Sequence, residues 1–157
     1  MKTKILLIGI DGLNLEMALE ASLTLTALKS SGYFTTLTMP APTFSGPGWS
    51  TLLTGSTHQE HGVSDNSFIG HKLFHRPDLL SRAFYNDQTT TTFAAAGWPA
   101  LVDPAGHGHR AEGGHGGDTP AERASFVIAQ GYGRANPTWP QEFGAHELTP
   151  LILAERA

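Results

Sequence analysis

Cysteine is absent from this 157-residue sequence. Disulfide bonds and thiolate metal sites are therefore excluded, and a bound zinc ion would need histidine and carboxylate ligands. Long apolar runs are lacking as well. No segment is long enough to span a bilayer, and the run that ends at Ile10 is too short for the core of a signal peptide. We therefore expect no membrane association and a cytoplasmic location.

Basic residues are few and are not clustered. The chain has 10 Lys and Arg against 14 Asp and Glu, which gives a formal net charge of -4. Without a basic patch to follow a phosphate backbone, we expect no nucleic-acid binding. The length predicts a single domain, and the sequence leaves its oligomeric state open.

Histidine and glycine are abundant and unevenly placed. Three of the eight histidines lie between His107 and His115, in a stretch dominated by glycine. Such tracts bind metal ions weakly and non-specifically in flexible loops, but they also occur in defined metal sites. This stretch is the first indication of a site.

The first 40 residues have the pattern of a βαβ unit. The continuous apolar run Lys4–Ile10 is typical of a strand buried on both faces of a parallel sheet. The apolar spacing then predicts a helix over Leu15–Ser30, with Asn14 as its N-cap and Gly32 as its stop. Tyr33–Met39 is rich in aromatic and β-branched residues and predicts a second strand. We therefore expect an α/β fold with a parallel sheet.

Shorter elements are predicted further along the chain. They are helices over Trp49–Thr54 (closed by Gly55), Asp78–Tyr85 and Leu151–Arg156, and strands over Thr89–Ala95 and Ser125–Ala129.

Two oxygen-bearing side chains fall where ligands bind in such sheets, beyond the carboxyl ends of strands. Asp11 follows the first predicted strand, and Ser45 lies in the Pro- and Gly-rich loop before the helix at Trp49. The N–H groups at a helix start favour an anion, and a carboxylate is a hard ligand for a divalent cation. From the residues alone, ordinary turn hydrogen bonds are the simpler interpretation of both positions.

Three motifs in the stretch from Ile5 to Asn66 change that balance. ILLIGIDG, TFSGPGWSTLLTG and HQEHGVSDN, in this order and spacing, resemble type I phosphodiesterase/nucleotide pyrophosphatase proteins of the alkaline phosphatase superfamily. The resemblance implies that Asp11 binds a metal ion and that Ser45, ten residues before Gly55, is the nucleophile. It also implies a three-layer α/β sandwich with a mainly parallel sheet, alkaline-phosphatase-like but incomplete here.

A second resemblance covers HGHRAEGGHGGDTPAERASFVIA, which is similar to the closing segment of that family. It implies that His107 and His115 are metal ligands. Gly106 stands where the family has an aspartate before the histidine, so that Asp is lost or replaced by Asp103. The run from Asp103 to His107 also resembles an Asp-x-x-Gly-His element from the middle of the family's domain. Both assignments cannot hold for His107.

The chain is considerably shorter than the family's catalytic domain. A large middle portion is missing between Pro99 and Leu101. We therefore expect one shortened domain over residues 1–157, with the nucleophile in residues 1–99 and a metal-ligand remnant in residues 100–157. The family implies two zinc ions. Here one ion would keep Asp11, Ser45 and His107 and the other only His115, so a single ion, or none, is the alternative.

These features predict a metal-dependent phosphoester hydrolase that forms a covalent phosphoserine on Ser45. Its substrate would be a small phosphoester, with nucleotides among the candidates. The alternative is a catalytically impaired or inactive relative that binds phosphate or zinc. A third possibility, a zinc-binding module built on His107, His109 and His115, leaves the motif around Ser45 unexplained.

Overall fold

A computed structural model of the protein describes residues 4–98 and 120–155. Asp103, His107, His109 and His115 lie outside these ranges, so their assignment as metal ligands stays a prediction. The junction between the two predicted halves also lies outside them.

The regular secondary structure of the described residues consists of helices and two strands. In chain order these are α1 (Leu15–Ala21), α2 (Leu23–Ser31), β1 (Tyr33–Thr38), α3 (Ser45–Thr54), α4 (His58–His61), α5 (Leu79–Asn86), α6 (Pro120–Arg123), β2 (Ala124–Ala129) and α7 (Leu148–Ala154), with single 3-10 turns at Leu73–His75 and Ala145–Glu147.

The long helix predicted after the first apolar run is two helices. The Asn14 side chain accepts a hydrogen bond from the Met17 N–H (3.1 Å), which confirms the predicted N-cap of α1. Ser22 has extended backbone angles and accepts from the Leu25 N–H (3.2 Å), so it ends α1 and caps α2. A serine that bonds to the following backbone favours a helix start over a helix interior, which explains the break. The predicted stop at Gly32 is confirmed, because Gly32 is the C-cap of α2.

The sheet differs from the prediction. Strands β1 and β2 pair antiparallel, from Tyr33 opposite Ala129 to Thr38 opposite Ala124, and they form the one sheet in the described residues. The parallel three-layer sandwich therefore stays an expectation of the family resemblance.

Two strand predictions are wrong for the described residues. Lys4–Ile10 and Thr89–Ala95 form no regular element. Leu6 is 83% exposed and Ile8 is 71% exposed. An apolar run becomes a strand only when a neighbouring strand takes its backbone hydrogen bonds, and within residues 4–98 and 120–155 neither segment has such a neighbour.

Helix α3 is packed between the N-terminal and C-terminal parts of the described chain. The buried Thr149 at the start of α7 donates a hydrogen bond from Oγ1 to the Leu52 carbonyl (2.8 Å). Apolar side chains of α5 and α7 form a buried cluster there, and a second cluster follows α4. The members are Leu79, Leu148 and Ile152 in the first cluster, and Val63 and Phe68 in the second. Gly55, the predicted stop of α3, has φ +67° and is its C-cap in the left-handed region.

No helix in the described ranges is long and apolar enough to cross a membrane.

Candidate active site

The hydroxyl of Ser45 donates a hydrogen bond to the Asp11 carboxylate. Its Oγ lies 2.8 Å from Asp11 Oδ2, although the two residues are 34 positions apart. Ser45 is 8% exposed. The structure therefore brings together the two residues on which the predicted chemistry depends.

Ser45 is the first residue of α3, so this helix begins four residues earlier than the expected Trp49. Pro47 makes the earlier start possible, because proline fits the first helical turn, where its missing N–H has no partner in the helix. Gly48 closes that turn by donating its N–H to the Phe44 carbonyl (3.0 Å). The Ser45 side chain thus sits at the positive end of the ten-residue α3.

Asp11 is held against α3 through Gly9 and Trp49. A Cβ atom at Gly9 would lie 2.1 Å from Trp49 Cη2, so glycine is required for the indole ring to lie against the backbone here. Gly12, which follows Asp11, has φ +68° and turns the chain into α1. The contact with Trp49 fixes the end of the apolar run and, with it, the Asp11 carboxylate.

Asn66 bonds to the start of α3 beside Ser45, a contact that sequence reasoning missed. Its Oδ1 accepts a hydrogen bond from the Gly46 N–H (2.7 Å), next to Ser45. Since an N–H donor needs an acceptor, the bond fixes which end of the Asn66 amide faces α3. A Cβ at Gly46 would lie 2.8 Å from the Asp65 carbonyl oxygen, so this close approach requires glycine. The one signal in the sequence was the position of Asn66 at the end of HQEHGVSDN.

His61 is completely buried beneath this loop. Its Nδ1 accepts the Val63 N–H (3.0 Å), so its other nitrogen carries the proton and donates to Thr51 Oγ1 in α3 (3.0 Å). Burial, and secondarily the neighbouring His58, lower the pKa of His61 from 6.5 to about 4. His61 is therefore neutral near pH 7 and joins two parts of the fold.

The pKa of His61 predicts an acid-sensitive fold. The unfolded chain binds this proton more readily than the folded chain between the two pKa values. The contribution of neutral His61 to the free energy of unfolding is therefore complete above about pH 6.5 and is lost as the pH falls toward about 4. We expect a loss on the order of 2 kcal/mol in the free energy of unfolding, measured by urea titration at about pH 7 and about pH 4.5.

His61→Gln, which cannot titrate, is the comparison for that experiment. Glu60 and Asp65 also have lowered pKa values, so they too stabilise the fold less in acid. Both residues are present in the variant, so the difference in pH dependence between wild type and variant isolates the effect of His61. An equal pH dependence in the variant would contradict the assignment to His61.

Ser45 and Asp11 line a cavity of about 640 Å³. Its walls are largely apolar and include Met39, Phe44 and Trp49. Among the described lining residues, the charged side chains are all carboxylates, those of Asp11 and Glu16. An anionic phosphoester would therefore meet unfavourable charge here unless a cation is bound.

The Asp11 carboxylate and the Ser45 hydroxyl have the chemistry of hard oxygen ligands, and they already lie in contact. They supply two of the four ligands of a typical zinc site. Within residues 4–98 and 120–155, no group of three or more His, Asp or Glu side chains could hold a metal ion. The pair therefore fits half of a metal site, and the remaining predicted ligands, Asp103, His107 and His115, lie outside the described residues.

Comparison with known proteins gives one match. A family model described as type I phosphodiesterase / nucleotide pyrophosphatase matches residues 5–115, well over half of the chain. The matched range includes Asp11, Ser45 and Asn66 and ends at His115. The comparisons with curated proteins and with solved structures found no match.

Proposed function

Since this chain belongs to the type I phosphodiesterase/nucleotide pyrophosphatase family, a family of phosphoric ester hydrolases, we propose that it hydrolyses a small phosphoester through a covalent phosphoserine on Ser45. The observation that carries the proposal is the 2.8 Å hydrogen bond from Ser45 Oγ to Asp11 Oδ2. A hydroxyl that is nearly buried, placed at a helix N-terminus and bonded to a carboxylate is a suitable nucleophile.

In the first step, Ser45 Oγ bonds to phosphorus while the bond from phosphorus to the leaving oxygen breaks, and the leaving oxygen departs with the electron pair of that bond. The Ser45 proton lies on the Asp11 side, so it passes to the Asp11 carboxylate and from there to water, and the attacking lone pair is free to face the substrate. Hydrolysis of the serine ester by water then regenerates the hydroxyl. A divalent cation held by Asp11 and Ser45 would lower the pKa of the hydroxyl and neutralise the phosphoester.

Charge that develops on the phosphoryl oxygens would meet N–H donors of this chain. The N-terminal end of α3 supplies backbone dipole charge at Ser45. Asn66 is not among the residues that line the cavity, but its oxygen bonds to Gly46 beside Ser45, and we propose that its Nδ2 protons reach a bound phosphoryl group. Such donors, fixed before the reaction, stabilise the transition state without reorganisation.

Zinc is the metal we propose, because the predicted ligands are histidine and carboxylate. We expect that treatment with a chelator abolishes hydrolysis of p-nitrophenyl phosphoesters and that added zinc restores it. Elemental analysis should give one to two zinc ions per chain. Hydrolysis that survives complete removal of metal would contradict the proposal.

The second candidate is a relative that binds phosphate or zinc without turnover. Two observations on the described residues favour it. The contact between Asp11 and Ser45 supplies two oxygen ligands, fewer than a catalytic metal site needs, and the charged side chains that line the cavity are carboxylates, which repel a phosphoester. Stoichiometric zinc without hydrolysis in the same experiment would support this candidate against the enzyme.

A further inference from the structure

We propose that His61 is a positioning residue that holds Asn66 against the start of α3, and this inference rests on the proposed function of Ser45. The imidazole is completely buried and is not among the residues that line the cavity. It acts through the loop formed by residues 62–66, which lies between α4 and the nucleophile.

The loop is fastened to α3 at two points. His61 donates from Nε2 to Thr51 Oγ1 (3.0 Å), and Thr51 is as completely buried as His61. Asn66 accepts from the Gly46 N–H (2.7 Å). Gly46 and Thr51 are five residues apart, or about 7.5 Å along the helix axis. The loop therefore spans about one and a half turns of the helix that carries Ser45.

His61 also sets the direction of the loop. Gly62 has φ +67° and reverses the chain, and the Val63 N–H then returns to His61 Nδ1 (3.0 Å). The His61 carbonyl accepts the Lys72 N–H (2.8 Å), which ties the outgoing end of the same region. Both ring nitrogens and the carbonyl of one buried residue are thus engaged, so the path to Asn66 has little freedom.

Only neutral His61 can form both side-chain bonds. Its Nδ1 must present a lone pair to Val63 while Nε2–H faces Thr51. The titratable groups near the ring are His58, whose ring centroid is 5.3 Å away, and Glu60. A proton on Nδ1 would point at the Val63 N–H and release the loop. Acid therefore weakens the attachment of Asn66 to α3.

The first test does not require activity. Amide hydrogen exchange at Gly46, measured by NMR, reports the bond to Asn66. We expect His61→Phe to speed exchange at Gly46 about 10-fold or more, as Asn66→Ala should, while far-UV circular dichroism stays unchanged. His61→Asn, which keeps an acceptor near the Nδ1 position, should restore part of the protection.

The second test uses a double-mutant cycle on kcat. Asn66→Ala should lower kcat by about 10²–10³, the usual cost of one oxyanion donor. If His61 acts through Asn66, His61→Phe should lower kcat with KM little changed and should add nothing to Asn66→Ala. Thr51→Val, which is nearly the same size as threonine, removes the Nε2–H acceptor and serves if His61→Phe does not fold.

Unchanged Gly46 exchange in a folded His61 or Thr51 variant would overturn the proposal, and so would additive losses in kcat. A wild-type chain without hydrolysis would overturn the proposed function alone, since the exchange measurement still decides whether His61 positions Asn66.

Discussion

Replacing Ser45 with alanine should lower kcat/KM for p-nitrophenyl phosphoesters by at least about 10³-fold, since the proposed nucleophile is lost. The change removes one hydroxyl whose hydrogen bond goes to Asp11. Alanine is a good helix former, so α3 should still begin at this position. Steady-state kinetics on the zinc-loaded protein, with urea unfolding in parallel, separates lost chemistry from lost stability.

Ser50→Ala is the matched control. Ser50 lies in the same helix and is about as buried as Ser45, at 7% against 8% exposed. Its carbonyl accepts a hydrogen bond from Thr54, a contact that the alanine keeps. Activity should therefore survive Ser50→Ala. Equal activity in the Ser45 and Ser50 variants would show that the hydroxyl of Ser45 takes no part in catalysis.

Asp11→Asn should remove most zinc binding and most hydrolysis. Asparagine has the shape of aspartate and can still accept the Ser45 hydroxyl, so the variant changes charge with little change in geometry. Loss of a supporting group near a metal already costs about 10–100-fold in affinity, and a direct ligand should cost at least as much. Calorimetric titration with zinc measures this effect, and kcat/KM should fall in parallel.

Asp78→Asn controls for the loss of one negative charge. The Asp78 side chain caps α5 by accepting the Ser81 N–H (2.7 Å), and asparagine is an equally good N-cap. Asp78 is not among the residues that line the cavity. We expect zinc affinity and activity close to wild type. Equal losses in the Asp11 and Asp78 variants would mean that net charge, and not a ligand, explains the effect.

Local signals predicted some helix ends and missed others, since α3 begins at Ser45 instead of Trp49 and α7 at Leu148 instead of Leu151. Asn14, Gly32 and Gly55 stand where expected, because caps depend on a few adjacent residues. The interior of the first helix was harder to predict, since serine is tolerated inside a helix or starts a new one according to its backbone angles. Ser22 starts one.

The sheet could not be predicted in the same way. The two strands that pair, β1 and β2, were both located, with ends shifted by one residue, but their antiparallel order depends on residues far apart in the chain. Lys4–Ile10 has the composition of a central strand and still forms none in the described structure. Apolar composition indicates that a segment favours burial, but it becomes a strand only if another strand lies beside it and pairs with it.

Part of the candidate site was accessible from the sequence. Motif spacing identified Asp11 and Ser45, and the structure brings their side chains into contact. His61 and Asn66 lie in the matching motif HQEHGVSDN, but the motif assigned them no role, because their contacts depend on the path of residues 62–66 and on the tautomer of one buried ring. Such features arise from geometry, which composition and spacing do not encode.

The central claim is that the Ser45 oxygen forms a bond to phosphorus. The most direct measurement is peptide mass spectrometry of the zinc-loaded protein, quenched with acid during turnover of a p-nitrophenyl phosphoester. We predict a phosphorus-containing adduct on Ser45 that is absent from Ser45→Ala and depleted in Asp11→Asn. Rapid turnover with no adduct on Ser45, or an adduct on another residue, would contradict it.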